Sequence, residues 1–181
     1  MTDSPVSAAA PGSAVDTAAF RKVMGRFATG VTVVTCVQDG FDHAMTANSF
    51  ASVSLEPALV LVCVENDSRF HEAISSVGSW AVNVLAEGQR GRARWFATRG
   101  RPLVGQFDAT PTVRSPLTGA LLLVDALATL ECRTVAAHPA GDHDIVVGEV
   151  LALDLARPDA EPLLYYGSEF QTLGEGTKPA S

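Results

Sequence analysis

Apolar positions in this chain recur first at helical spacing and then, for most of its length, every second residue. Phe20, Val23, Met24 and Phe27 fall at i, i+3, i+4 and i+7, with Asp16 placed to cap. That spacing predicts a helix over about 17–28, stopped by Gly30. Val31 to Val37 is β-branched almost throughout and Asp39-Gly40 supplies a hairpin turn, so a strand should pair with a return strand that begins near His43. The return strand should run into the stretch Thr46 to Ser54. Pro57 breaks the register, and the apolar run Ala58 to Val64 predicts a strand buried on both faces.

Further along, a short helix through Phe70 and Ile74 is expected with Ser68 or Asp67 as its cap. Trp80 to Leu85 alternates as a strand. Gly88 to Thr98 reads as a basic helix, and Gly100 to Ser115 as an irregular lid or interface loop. Strands are predicted over 120–124 and 127–137, with a turn at 138–142. The strand from His143 to Leu155 should place Ile145, Val147, Leu151, Leu153 and Leu155 on one face. A short strand over 162–167 closes the series. Many short strands, turn signals between them and few helices make the chain mainly β, an antiparallel barrel.

Composition narrows the function classes. With 181 residues the chain is sized for one domain, expected over 16–173, between a lead-in at 1–15 and a loose tail from 174 to 181. A net charge of −7 argues against a nucleic-acid backbone as partner but leaves room for a local basic pocket. Cys36, Cys63 and Cys132 are widely spaced, without a CxxC pair, and read as small core residues of a reducing compartment. No signal-like leader and no apolar run of membrane-spanning length occur, so the expectation is a soluble cytoplasmic protein.

The stretch Thr46-Ala47-Asn48-Ser49-Phe50-Ala51-Ser52-Val53-Ser54 has one bulky side chain among small and hydroxyl residues. Such a segment lets backbone amides and hydroxyls approach a flat, polar-edged ligand, and it serves equally as a Ser-rich connection. Ser68 and Arg69 stand where a helix N-terminus would offer free amides to a phosphate. Arg90, Arg92, Arg94 and Arg99 can line an anion's entrance or face solvent. No GxGxxG, Walker, GxSxG or HExxH pattern occurs. His138, Asp142, His143 and Asp144 cannot all converge on a metal, because adjacent strand residues point to opposite faces, and no metal is expected. His143, opening a long strand beyond a turn, is the candidate proton-active group.

Taken in order, several segments carry a family resemblance: Phe20 to Thr35 (FRKVMGRFATGVTVVT), Met45 to Ser54 with Pro57 and the apolar strand, Trp80 to Leu85, Gly141-Asp142-His143 with Gly148-Glu149-Val150, and Pro162 to Tyr166. Together they resemble the flavin reductase-like family of FMN-binding split barrels, the small NAD(P)H:flavin oxidoreductases that serve two-component monooxygenases. The resemblance implies a homodimeric six-stranded Greek-key barrel that uses FMN or FAD with NADH or NADPH. It implies that Thr46, Ala47, Asn48 and Ser49 meet the isoalloxazine edge, that Ser52 and Val53 run along the ring and ribityl chain, and that Cys63 lies close by. Ser68 and Arg69 would hold the phosphate, and His143 would face the nicotinamide. Other split barrels act on organic substrates of their own or bind flavin without turnover, and fold alone does not separate these. Relatives carry a basic-Phe-Ala-Gly segment where this chain has Arg101-Pro102-Leu103-Val104-Gly105-Gln106-Phe107.

Overall fold

A computed structural model describes residues 14–173. The lead-in and tail expected at the two ends lie outside them, apart from Ala14 and Val15. The first helix, α1 (Thr17–Met24), is capped by Asp16, whose carboxylate accepts from the amides of Ala18 and Ala19. It ends four residues earlier than the spacing suggests, and Phe20, Val23, Met24 and Phe27 all remain exposed. Its apolar stripe therefore finds no core among the described residues. Gly30, expected to stop the helix, belongs with Thr29 to a two-residue strand, β1 (Thr29–Gly30).

The hairpin of β2 (Thr32–Gln38) and β3 (Phe41–Ala47) turns at Asp39-Gly40, both at positive φ (52° and 79°), as a type I′ turn requires. A second hairpin joins β4 (Phe50–Leu55) to β5 (Ala58–Glu65) through the cis Glu56–Pro57 bond. Next come α2 (Arg69–Ser76), β6 (Ser79–Val84), a 3₁₀ turn over Glu87–Gln89 and α3 (Arg90–Ala97). Then follow β7 (Thr112–Arg114), β8 (Leu121–Leu123), β9 (Ala128–Ala140), β10 (His143–Asp154), β11 (Leu164–Tyr166) and β12 (Glu169–Gln171).

The main sheet is antiparallel, in the order β3-β2-β6-β9-β10-β5-β4. Its two edge strands are consecutive in the chain, separated only by Asn48 and Ser49. Laid flat, seven strands would put those edges about 29 Å apart, whereas the three residue steps from Ala47 to Phe50 reach only about 10 Å. The sheet must therefore curl until its edges meet. Ala47 still pairs with Thr32 on one side, while Ser49 already bonds to Cys63 on the other, its carbonyl accepting from the Cys63 amide at 3.3 Å. Asn48 is the corner. Counted as one bent strand, β3 and β4 give the six-stranded split barrel implied by the resemblance.

Two apolar clusters flank β2, whose first five residues are all buried. One gathers Val34, Val62, Val64, Phe70, Ile74 and Trp80 under α2, and the other Val31, Val33, Leu85, Phe96, Leu123 and Leu163 under α3 and β8. The strand buried on both faces is thus β2. The apolar run of β5 instead alternates, with Val60, Val62 and Val64 inside and Leu59, Leu61 and Cys63 half exposed.

β10 departs from expectation in the same way. Val146 and Gly148 face the core, while Leu151 and Leu153 stand 40% and 73% exposed. The two-residue period is as expected but the face is reversed, and bulges at 147/148 and 150/152 interrupt its register. Ile145 pairs with Cys63 and Val147 with Leu61, so an apolar strip runs over the outside of the barrel. The turn into β10 is also tighter than expected. Ala140 pairs with His143 around Gly141-Asp142, so His138 and Pro139 belong to β9.

Candidate functional site

The corner at Asn48 opens onto a cavity of about 460 Å³. Its floor is the β3 end and the Ser49–Cys63 crossing, one wall is the start of α2, and the other is the chain leaving α3. Thr46, Ala47, Asn48, Ser49, Cys63, Ser68, Arg69 and His143 all line it. Ser52 and Val53 do not. They lie on β4, which the corner carries away from the cavity, at a bulge between Ser52 and Ser54, and Val53 is half exposed on the outer surface.

Several hydroxyls of the stretch are already engaged. Thr46 Oγ1 donates to the Ala93 carbonyl (2.8 Å), tying β3 to α3, and Ser49 Oγ donates to the Cys63 carbonyl (3.0 Å). These two hold the corner in shape. What they leave facing the cavity is the exposed Asn48 carboxamide. His143 Nδ1 sits 2.8 Å from Asp142 Oδ1, which fixes the ring and leaves Nε2 available. The contact with His143 holds the fully exposed Asp142 carboxyl below its ordinary range. The other histidine–aspartate pair, His71 Nε2 with Asp144 Oδ2 at 2.9 Å, braces α2 against β10.

The α2 end is electropositive for two reasons. Ser68 Oγ accepts from the His71 amide (3.1 Å), while the first-turn amides of Arg69 and Phe70 have no partner within the helix. Beside them stand two guanidiniums. Arg69 Nη1 donates to the Arg101 carbonyl (3.2 Å), and Arg101 reaches inward, donating to the carbonyls of Phe96 (2.9 Å), Thr98 (3.1 Å) and Ala44, with its Nε on Gln106 Oε1 (3.0 Å). Its guanidinium also lies over the Phe96 ring. Every one of these acceptors is neutral. Among the described residues no carboxylate pairs with either arginine. Burial, and secondarily the charge of Arg69, bring the Arg101 pKa down to about 10. Burial first, then Arg69, also lowers the pKa of His43, a further cavity residue. Two adjacent cations without an anion make a site that favours one.

Sequence reasoning missed Arg101 as a charge in the site, although the departure of its segment from the family pattern was visible. The loop it begins is clamped rather than lid-like. Gln106, 3% exposed, donates to the carbonyls of Asp42 (2.6 Å) and Leu103 (3.1 Å), and its own carbonyl accepts from Trp95 Nε1 (2.8 Å). Arg114 closes the loop with two bonds to Asp42 (2.9 and 2.8 Å).

The flavin reductase like domain model matches residues 24–174. The chain belongs to the flavin reductase-like family. It is 43% identical to an NADH-dependent FAD reductase of Streptomyces globisporus over 157 residues, 86% of this chain and 85% of that protein. With the reductase subunit HsaB of a flavin-dependent monooxygenase from Rhodococcus jostii it shares 37% identity over 94% of this chain and 85% of the relative. Among solved structures, the S. globisporus NADH:FAD oxidoreductase SgcE6 in complex with NAD and FAD fragments superposes with a TM-score of 0.85 at 40% identity, covering 90% and 96% of the two chains. BorF, the flavin reductase component of a bacterial two-component tryptophan halogenase, gives 0.82 at 46% identity, covering 88% and 99%.

The donor set suits a flavin phosphate. A phosphate monoester carries up to two negative charges and three acceptor oxygens. The first-turn α2 amides and the Arg69–Arg101 pair supply donors and positive charge at one end of the cavity, while Ser68, whose hydroxyl donates to the Glu65 carbonyl (2.7 Å), serves as the cap that holds those amides in place. The uncharged, small-residue corner at Thr46 to Ser49 lies at the other.

Proposed function

We propose that this protein is an NADH-dependent flavin reductase that transfers a hydride to FMN or FAD and releases reduced flavin to a partner monooxygenase. The observation that carries the reading is the pairing, in one cavity, of an uncompensated two-arginine cradle at a helix N-terminus with the small-residue corner around Asn48. Arg69 and the α2 amides hold the phosphate, and Arg101 adds a second positive charge while locking the chain after α3 onto β3. Asn48 and the backbone on either side meet the polar edge of the ring. A flavin held by these residues would supply the hydride acceptor, and the reduced nicotinamide the hydride.

The residues bind, orient and exclude water rather than form bonds of their own. Asp142 holds His143 Nδ1, so Nε2 projects as a fixed hydrogen-bonding group toward the nicotinamide. Backbone amides at the corner stabilise negative charge gained by the ring on reduction. Replacing His143 with Ala should slow flavin reduction by NADH more than it weakens binding of oxidised flavin. Equal losses would remove the positioning role.

We propose also that the protein works as a homodimer. The reversed face of β10, the half-exposed residues of β5 and the exposed stripe of α1 give it apolar surface that none of the described residues covers.

The test of the activity is an anaerobic absorbance experiment. Protein with FMN or FAD is mixed with NADH or NADPH and the oxidised-flavin band is followed. Bleaching far above the protein-free rate, faster with NADH, is the expected result. Flavin binding without bleaching by either nucleotide would overturn the reading in favour of a flavin-binding module.

A further inference from the structure

Of the four histidines, His43 alone is both buried and unpaired among the described residues. It stands 6% exposed on β3, opposite Cys36 of β2. His71 and His143 each meet an aspartate, and His138 is exposed on β9. Neither ring nitrogen of His43 has a hydrogen-bond partner among the described residues, although buried polar groups ordinarily have one. His43 lines the cavity that holds the two-arginine cradle. Arg101 donates to the carbonyl of Ala44, the next residue along the strand, which brings its guanidinium beside the imidazole.

The charged and titratable groups that face His43 come from four elements. α2 brings Arg69 and Glu72, the chain after α3 brings Arg101, and β3 itself brings Asp42. β2 brings Cys36, whose thiol is pushed up to about 12 by burial and then by Asp42, so it stays neutral. The Asp42 carboxylate is already held by Arg114 (2.9 and 2.8 Å). Burial first, and then Arg69, keep the His43 pKa below its ordinary 6.5, with Asp42 and Glu72 opposing this and Arg101 reinforcing it. The free protein therefore holds a neutral imidazole at neutral pH, with one N–H to donate. A phosphate monoester seated against Arg69 brings up to two negative charges into this balance. It offsets the guanidiniums, the charges that keep the proton off, and offers acceptor oxygens to the ring.

We infer that His43 is a third phosphate ligand of the cradle, and that FMN binding draws one proton from solvent onto its imidazole. The inference rests on the proposed flavin site and goes beyond it, because it makes the affinity for a phosphate-bearing flavin depend on pH. The proton passes from water or buffer to a ring nitrogen, and no other bond forms or breaks. Since the His43 pKa is higher in the complex than in the free protein, binding tightens as pH falls between the two values. Below about pH 6 the phosphate takes up its own second proton, which works in the opposite direction. Riboflavin, without a phosphate, draws no proton. FAD, each of whose phosphates carries a single charge, draws less than FMN.

The test is proton uptake on binding. Calorimetry of FMN and of riboflavin is run near pH 7 in several buffers of different ionisation enthalpy, none of them phosphate. Wild type is compared with His43→Gln, which keeps a hydrogen-bonding side chain but has no proton to gain. The expected uptake is roughly 0.3 to 1 proton with FMN in the wild type, and within about 0.1 of zero in the variant or with riboflavin. From about pH 7.5 to 6.5 the wild-type Kd for FMN should tighten roughly two- to sixfold, while in the variant it stays flat or weakens slightly. No uptake in the wild type would overturn the inference. Uptake that persists in His43→Gln would assign the proton to another group, and equal uptake with riboflavin would assign it to the ring of the flavin; either overturns it. His43→Asn takes the place of the first variant if that one does not fold. Neither readout needs turnover, so a protein that takes up the proton with FMN yet reduces no flavin loses the reductase reading and keeps this role for His43. Absence of FMN binding would overturn both.

Discussion

Removing the exposed guanidinium of the cradle, by Arg69→Ala, should separate flavins that carry a phosphate from the one that does not. A hydrogen bond to a charged group is worth about 1.5–3 kcal/mol in general, which would predict a loss of roughly 10- to 150-fold in affinity. Two features of the structure push the value to the low end. Arg69 is exposed, so solvent screens its contact with a phosphate. Arg69 also depresses the pKa of Arg101, and its removal relieves the buried cation of a like-charge neighbour while leaving that cation in place. The first-turn backbone amides at positions 69 and 70 remain as well. The expected outcome is FMN binding weakened about tenfold, some 1.4 kcal/mol, with riboflavin binding changed by less than about twofold. Fluorescence titration of both flavins against wild type and variant measures this. Raising salt from about 0.05 to 0.5 M should erode FMN binding more in the wild type than in the variant. If riboflavin and FMN weaken together, Arg69 shapes the pocket instead of binding the phosphate. If neither weakens, the phosphate sits elsewhere.

Other expectations follow from packing and titration. A Cβ at Gly148 would lie 2.4 Å from the ring of Trp80, itself fully buried and held by its Nε1 bond to Thr134 (3.1 Å). Gly148→Ala should cost about 2–3 kcal/mol, the upper part of the overpacking range, and lower Tm by roughly 4–12 °C in a chain of this size; a melt within about 2 °C of wild type, half the smallest shift that cost implies, would refute that contact. His43 has a folded pKa below its ordinary value of 6.5, chiefly through burial and then Arg69. The unfolded chain therefore takes up the proton first, and this contribution lowers stability as pH falls below about 6.5 while adding nothing above it. In His43→Gln, Tm should fall less between about pH 7.5 and 5.5 than in the wild type, and parallel slopes would contradict the assignment. Leu153→Lys, on the exposed face of β10, should yield monomer in analytical ultracentrifugation if that face joins two copies; an unchanged sedimentation coefficient would direct attention to α1.

The elements were legible because most of the chain obeys local rules. Asp16 and Ser68 cap helices, Asp39-Gly40 makes the turn its residue types favour, and β6 alternates where it should. Local rules stop short of saying which side of a strand is inside. β10 shows this: Ile145, Leu151 and Leu153 keep a strict period of two, yet the core lies on the side of Val146 and Gly148 because Trp80 fills the space that Gly148 leaves open. That glycine belongs to a motif carrying the family likeness, and its role here is a packing one.

The site divides in the same way. That Ser68 and Arg69 stand together on the cavity wall could be read ahead, because a helix cap and the cation next to it are neighbours in sequence. Arg101 could not, since its carbonyl partners at Ala44 and Phe96 come together only when the chain after α3 folds back on β3. Ser52 and Val53 were expected beside Ser49 because nothing local marks Asn48 as the point where the chain changes edges. The reach argument that identifies this corner needs the strand order, and strand order is set by pairings as remote as His143 with Glu65. Residues that line a cavity through one turn of backbone can be found by reading along the chain. Those that reach it because a barrel closes require the closure.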